Sequence, residues 1–178
     1  LSKIHPDIKT YSGFSNDNKG TRIRLSVTPL GMNAMISAVN RPSSFINPMQ
    51  RKADGNYIVY TTDAKIKKSK DFKCLTESTK VEKRSEQPLI SSRSANDQNL
   101  RTLRIAVSRT GQYTNFWDDN DDSNGNSKVD ALAQVVSTIN RMNEVFEVDM
   151  AVTFTLVTGI ETIFDNPSSD PYKQDLNT

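Results

Sequence analysis

The chain has 178 residues, of which 35% are hydrophobic and 25% are charged, so it can form one ordinary domain or two small ones with a modest core. Its net charge of +2 is unevenly divided, because residues 1–100 carry +8 and residues 101–178 carry −6. This division predicts that the two halves attract each other. The basic residues have few aromatic neighbours, which argues against nucleic-acid binding. No apolar run is long enough to predict a membrane span.

Residues 21–62 predict a small antiparallel β unit, after a polar and turn-rich segment at 1–20. Ile23, Leu25 and Val27 alternate with polar residues, which is the period of a half-buried strand. The turn signals Pro29-Leu30-Gly31 and Asp54-Gly55 separate successive strands. Further strands are predicted at Met32–Val39 and Tyr57–Tyr60.

A basic linker is predicted at 76–99, within a longer stretch that is rich in lysine, arginine and serine. Such a composition cannot bury enough apolar surface to offset its ordering entropy. Lys83, Arg84 and Arg93 are candidate positions for cleavage by a processing protease. The alternative is a linker that is merely solvated.

Residues 101–158 predict a strand, a helix and a second strand. Alternation predicts strands at about 101–109 and at Asp149–Thr158, and apolar residues at three- and four-residue steps from Val129 to Phe146 predict the helix. Ser127 followed by Asp130 predicts a capping box at its start. This order implies a βαβ crossover with parallel strands, the beginning of an α/β domain.

The acidic loop predicted at 111–125 has some features of a calcium-binding loop. Aligned with an EF-hand loop, Asn120, Asp122 and Asn124 fall at the first, third and fifth ligand positions. Ala131 then stands at the twelfth position, where a bidentate glutamate is required. A solvated loop is therefore favoured over a specific calcium site, and calcium stays a weak candidate cofactor.

Four segments resemble bacterial reprolysin-like (adamalysin-type) zinc metallopeptidases of the metzincin group. Leu100–Thr114 and the helical Ala131–Glu147 resemble the opening of the catalytic domain, and Met150–Thr158 resembles the strand that follows. Gly20–Ile36 resembles the pro-region of these enzymes. The resemblance covers roughly residues 20–178 and rests on strand and helix patterns, since an active-site signature does not occur in the chain.

The resemblance implies part of a secreted zinc metalloendopeptidase zymogen whose signal peptide is removed or lies outside the chain. It implies an α+β fold, with a β-rich pro-region at 1–75, the linker at 76–99, and at 100–178 the first β-α-β of a zincin-type catalytic domain. The zinc motif H-E-x-x-H-x-x-G-x-x-H, with its general-base glutamate, is expected after Thr178. The chain alone is therefore expected to be inactive. Its implied partners are the rest of its own catalytic domain and protein or peptide substrates.

Cys74 and His5 are the only cysteine and histidine, so the chain can form neither an internal disulfide nor a complete zinc site. In related pro-segments a cysteine bound to the zinc maintains latency, and the resemblance implies this role for Cys74. Lys70 and Lys73 would favour its thiolate. The alternative is an idle or buried cysteine, and the surrounding residues differ from the P-K-M-C-G-V type of pro-segment.

A second function class stays open beside the zymogen. A non-catalytic extracellular binding or adhesion module could share this beginning of the fold without any zinc site. The stretch that follows in the gene discriminates the two classes, because only the peptidase requires H-E-x-x-H there.

Overall fold

The computed structural model describes residues 3–16, 20–51, 54–64, 98–157 and 160–172. The chain folds into an α+β structure with two sheets. The strands are β1 (Lys9–Phe14), β2 (Thr21–Thr28), β3 (Gly31–Ala38), β4 (Arg41–Pro48), β5 (Tyr57–Thr61), β6 (Arg101–Ile105) and β7 (Val152–Leu156). The helices are α1 (Gly111–Trp117) and α2 (Ser127–Met150), and a 3₁₀ turn spans Ile160–Thr162.

The first five strands form an antiparallel sheet in chain order, which confirms the predicted antiparallel unit. Thr28 pairs with Gly31 across the β2–β3 turn, and Gly31 adopts a φ of 106°, which a residue with a Cβ rarely adopts. The sheet begins earlier than predicted, because β1 lies within the polar and turn-rich segment 1–20, for which no strand was predicted. Most β1 side chains are exposed, so its sequence has no alternation to reveal the strand.

The predicted β-α-β unit is present, and β6 and β7 pair in parallel from Arg101↔Val152 to Ile105↔Leu156. The helix begins one residue earlier than the capping prediction: Asn126 is the N-cap, and its Oδ1 accepts a hydrogen bond from the Val129 N–H at 3.2 Å. The capping-box prediction for Ser127 and Asp130 is therefore wrong. Helix α2 ends at Met150, and the left-handed φ of 53° at its C-cap, Ala151, turns the chain into β7.

The first half of the predicted acidic loop is instead helix α1. Thr110 caps it, with its hydroxyl oxygen accepting from the Tyr113 N–H at 3.2 Å. At Gly111 the helix lies against the backbone of Asn166 and Pro167. A helix of only 7 residues is too short to display apolar periodicity, which explains why the sequence pattern did not indicate it.

Helix α2 packs against both sheets and carries much of the core. The Asn140 Nδ2 donates to the Leu25 carbonyl oxygen of β2 at 3.0 Å. The Asn143 side chain bonds both backbone groups of Phe154 in β7, at 2.7 and 3.0 Å. The buried apolar cluster comprises Ile8, Leu30, Ala131, Leu132, Ala133, Val136 and Ile163. None of the helices in the described ranges is long and apolar enough to cross a membrane.

Ion pairs join the basic first half of the chain to the acidic second half. Glu144 is 2% exposed and lies between two arginines of β2. The Arg24 Nε donates to its Oε2 at 3.2 Å, whereas the Arg22 Nε is 2.9 Å from its Oε1 without hydrogen-bond geometry. Both arginines also contact Glu147, and the Ser37 hydroxyl donates to Glu144. These contacts attach the antiparallel sheet to α2.

Candidate functional site

Three carboxylates meet where α1 ends and α2 begins. Asp118, Asp119 and Asp130 each place a carboxylate oxygen within 4.8 Å of the other two, and we call this set the Asp triad. Asp118 is the C-cap of α1, and its backbone N–H donates to the Thr114 carbonyl oxygen at 3.1 Å. Asp130 lies in the first turn of α2. The two helix ends therefore position the triad.

Asp130 is the most unusual member of the Asp triad because it has no solvent exposure. Its Oδ2 accepts from the Asp119 backbone N–H at 3.3 Å, whereas its Oδ1 is buried without a hydrogen-bond partner. Burial, followed by the negative charges of Asp119, Asp118 and Asp122, raises the pKa of the Asp130 carboxyl to about 6. The charged form of Asp130 is thus unfavourable unless a positive charge lies beside it.

Hydrogen bonds within the acidic loop hold the rest of the site. Asp119 is 7% exposed, and its carboxylate accepts from the Asn124 Nδ2 at 3.0 Å and from the Asp121 N–H at 2.9 Å. The Asp118 carboxylate accepts from the Asn120 N–H at 2.9 Å. Asn124 has a second polar atom, Oδ1, that is buried without a hydrogen-bond partner. Two partnerless oxygens therefore lie in residues of the same small cluster.

The structure brings only part of the predicted calcium set to this cluster. Asn124 bonds Asp119 directly, as described above. Asn120 contributes a backbone N–H and a left-handed φ of 59°, and Asp122 is exposed and is not a member of the triad. The sequence reasoning assigned Asp130 to helix capping and so missed its part in the site. The adjacent pair Asp118-Asp119 followed by an aspartate in the next helix was the available signal.

The candidate residues for latency and processing, which are Cys74, Lys83, Arg84 and Arg93, lie outside the described residues. His5 is the single histidine of the chain, and the Asp triad consists of carboxylates alone. A catalytic zinc site requires three protein ligands that usually include histidines. The residues present do not fit a catalytic zinc ion.

Comparison with known proteins adds no family assignment. No family model, curated protein or solved structure matches this chain.

A second buried charge lies near the start of α1. Arg109 is 5% exposed, and none of its three guanidinium nitrogens has a hydrogen-bond partner. Burial lowers the pKa of Arg109 to about 10, and burial also raises the pKa of the neighbouring Tyr113. A buried guanidinium normally pairs with a carboxylate or a carbonyl oxygen. Arg109 has no such partner within the part of the chain that the structure describes.

Proposed function

We propose that this chain is the N-terminal part of a secreted zinc metalloendopeptidase zymogen, with its antiparallel sheet acting as the pro-region. The parent protein would hydrolyse peptide bonds, and the catalytic residues would come from a later part of the same polypeptide. The resemblance of four segments to reprolysin-like enzymes motivates this function, and three features of the fold support it.

The exposed parallel pair β6–β7 is the observation that carries the proposal. Parallel sheets in proteins are normally covered on both faces and contain more than two strands. Here the first four residues of β6 are exposed, and Leu103 among them is 50% exposed. A two-stranded parallel sheet with this exposure is typical of one part of a larger α/β sheet, whose other elements would cover it. The Asn143 side chain already occupies the outer edge of β7 at Phe154, so we expect additional strands at the other edge of β6, which pairs with no strand in the described ranges.

The packing of the antiparallel sheet on α2 supports its role as a pro-region. Arg22 and Arg24 of the sheet meet Glu144 and Glu147 of the helix, and these ion pairs lie beside an apolar contact that buries Leu30 against α2. Cleavage between the two parts would make this contact intermolecular, so that dilution could release the pro-region, and salt would weaken its more exposed pair, Arg22–Glu147. The basic residues Lys83, Arg84 and Arg93 lie between the two parts in sequence, as an activation cleavage requires.

The partnerless guanidinium of Arg109 gives independent support. A buried cation without a counter-charge is strongly unfavourable, and proteins avoid it. In the proposed parent protein, a carboxylate or carbonyl oxygen from another part of the catalytic domain would pair with Arg109. The same addition would cover the exposed β6.

The chain itself supplies no zinc ligand set, and no catalytic step is assigned to its residues. When bound in the parent protein, zinc would activate a water molecule for attack on the peptide bond. Cys74 is the one residue of this chain proposed to meet that zinc, as a thiolate that keeps the zymogen latent.

The direct test is the coding sequence that follows Thr178. The proposal expects an H-E-x-x-H motif within roughly 100 residues, followed by a third histidine and a Met-turn. A complete α/β domain without such a motif would overturn the peptidase and favour the non-catalytic binding or adhesion module.

A further inference from the structure

We infer that the Asp triad of Asp118, Asp119 and Asp130 binds one divalent cation of the calcium type. Asn124, whose Nδ2 donates to Asp119 and whose buried Oδ1 has no hydrogen-bond partner, would supply a fourth ligand oxygen. The site is separate from the proposed catalytic zinc, since it lies entirely within residues 118–130 and contains neither histidine nor cysteine. Its existence does not depend on the proposed peptidase function.

The donor set of the Asp triad suits calcium. The triad oxygens all lie within 4.8 Å of one another, so one cation between them could contact all three carboxylates. A cage made mostly of protein oxygens is typical of calcium, whereas magnesium demands near-ideal octahedral geometry and usually keeps several waters. Carboxylate and amide oxygens are also the ligands that calcium prefers.

The buried oxygen of Asp130 is the observation that points to a ligand independently of the clustering. Asp130 is fully buried, and its Oδ1 has no hydrogen-bond partner. A surface cluster of aspartates would be solvated, whereas this carboxylate is fully buried and accepts a hydrogen bond from the Asp119 N–H alone among the described residues. A carboxyl in such surroundings is either protonated or compensated by a positive charge, and at neutral pH, above its raised pKa of about 6, the charged form calls for a cation.

No side chain among the described residues supplies a positive charge to Asp130. Asp130 forms no ion pair among the described residues, and Lys128, the nearest basic residue in sequence, pairs with Asp165 at 3.3 Å. The groups whose charges act on Asp130 are the carboxylates of Asp119, Asp118 and Asp122. A bound cation would reverse the sign of this local field and compensate all of them together.

Asn124 adds a neutral ligand at the edge of the same site. Its Nδ2 donates to Asp119, and its buried Oδ1 lacks a hydrogen-bond partner. An amide oxygen is a common calcium ligand, and water molecules complete the coordination in many calcium sites. The cation would join the end of α1 to the start of α2, so its binding is expected to stabilise the fold.

Terbium luminescence tests the site on the intact 178-residue chain. Terbium is a calcium probe, and the single tryptophan, Trp117, precedes Asp118 directly, so indole excitation should sensitise an ion held by the triad. We expect saturable emission with one terbium per chain, displaced by calcium more readily than by magnesium. Calcium should also raise the Tm of the chain. Absence of sensitised emission and of any calcium-dependent Tm shift would overturn the site.

Two asparagine variants distinguish a specific cation site from general attraction of cations to acidic residues. Asp130→Asn keeps the side-chain shape but removes the buried charge, and we expect it to weaken terbium binding at least about tenfold and to abolish the calcium-dependent Tm shift. Asp122→Asn removes the same charge from an exposed position of the same loop and should change the affinity much less. Equal weakening by both variants would refute the site in favour of diffuse electrostatics.

A further variant covers a failure of Asp130→Asn to fold, which circular dichroism would detect. Asp118→Asn removes a second triad carboxylate that is not fully buried, and the same tenfold weakening is expected there. Wild-type affinity in folded Asp118→Asn would contradict the assignment. Neither result bears on the presence of a downstream zinc motif, so failure of this site and failure of the proposed peptidase are distinguishable.

Discussion

Replacement of Glu144 by glutamine should destabilise the chain more than any exposed charge change. Glu144 is 2% exposed and receives contacts from Arg22, Arg24 and Ser37. Glutamine has nearly the same shape, but it replaces one acceptor oxygen by an NH₂ group that would face the guanidinium of an arginine. The variant therefore removes the negative charge between two partly buried cations and leaves one of them facing an N–H donor, without creating a cavity.

The expected magnitude follows from the exposure of the two arginines. Removal of one partner from a buried ion pair costs about 3–5 kcal/mol. The Arg22 and Arg24 side chains are 26% and 11% exposed and both retain Glu147, so part of this cost is recovered. We expect a loss of about 2–3 kcal/mol in the free energy of unfolding, or roughly 4–12 °C in Tm.

Urea denaturation at neutral pH measures this loss, with an unchanged m-value showing that the unfolded state is comparable. Glu161→Gln is the matched control, because Glu161 is exposed, and its effect should stay within about 0.5 kcal/mol. The double variant Arg24→Gln with Glu144→Gln should lose less than the sum of the single variants, since each removes the same interaction. A Glu144→Gln loss equal to that of the control would refute the view that this ion-pair cluster attaches the sheet to α2.

Three further predictions concern other parts of the chain. Folding raises the pKa of Asp130 from 3.8 to about 6. In chelated buffer, protonation of Asp130 therefore contributes stability that is fully present below pH 3.8 and is lost as the pH rises through 6. Wild type should therefore lose on the order of 3 kcal/mol between pH 4 and 7 relative to Asp130→Asn, and parallel pH profiles of the two proteins would contradict the shift. Gly111→Ala should lower the free energy of unfolding by about 1–3 kcal/mol or more, because the new Cβ would lie 2.3 Å from the Pro167 nitrogen. Gly13→Ala is the control, since its Cβ would have its nearest contact at 3.4 Å, and thermal unfolding should show a far smaller loss. In the uncleaved parent protein, Cys74→Ala should release peptidase activity without unfolding, and equal latency in both proteins would assign inhibition to the bulk of the pro-segment.

The sequence predicted the elements whose patterns are long and two-sided. The strand β2 alternates Ile23, Leu25 and Val27 with polar residues, and α2 repeats apolar residues over several turns, so both periods were readable. Strand β1 was missed because its side chains are mostly exposed and its pairing with β2 is made by backbone groups. Helix α1 was missed because its 7 residues are fixed by the Thr110 cap and by packing rather than by periodicity.

The Asp triad could be predicted only in part, for a reason that is geometric. The acidic loop was visible in the sequence, and Asn124, one of its candidate residues, lies beside the cluster. The part of Asp130 in the triad depends on how α2 begins, because the cap at Asn126 leaves Asp130 free to face Asp119. A shift of one residue in a helix cap changes the direction of each following side chain by about 100°. A sequence pattern does not fix a boundary to that accuracy.

The most direct test of the central proposal is the zinc-dependent activity of the parent polypeptide. The continuous polypeptide, cleaved between residues 76 and 99, should contain one zinc ion and hydrolyse casein, and a chelator should abolish this activity. The 178-residue chain alone should show neither tight zinc binding nor hydrolysis, because it has a single histidine and a single cysteine. Chelator-sensitive hydrolysis by the 178-residue chain, or a cleaved parent polypeptide that binds no zinc and cuts no protein, would contradict the account.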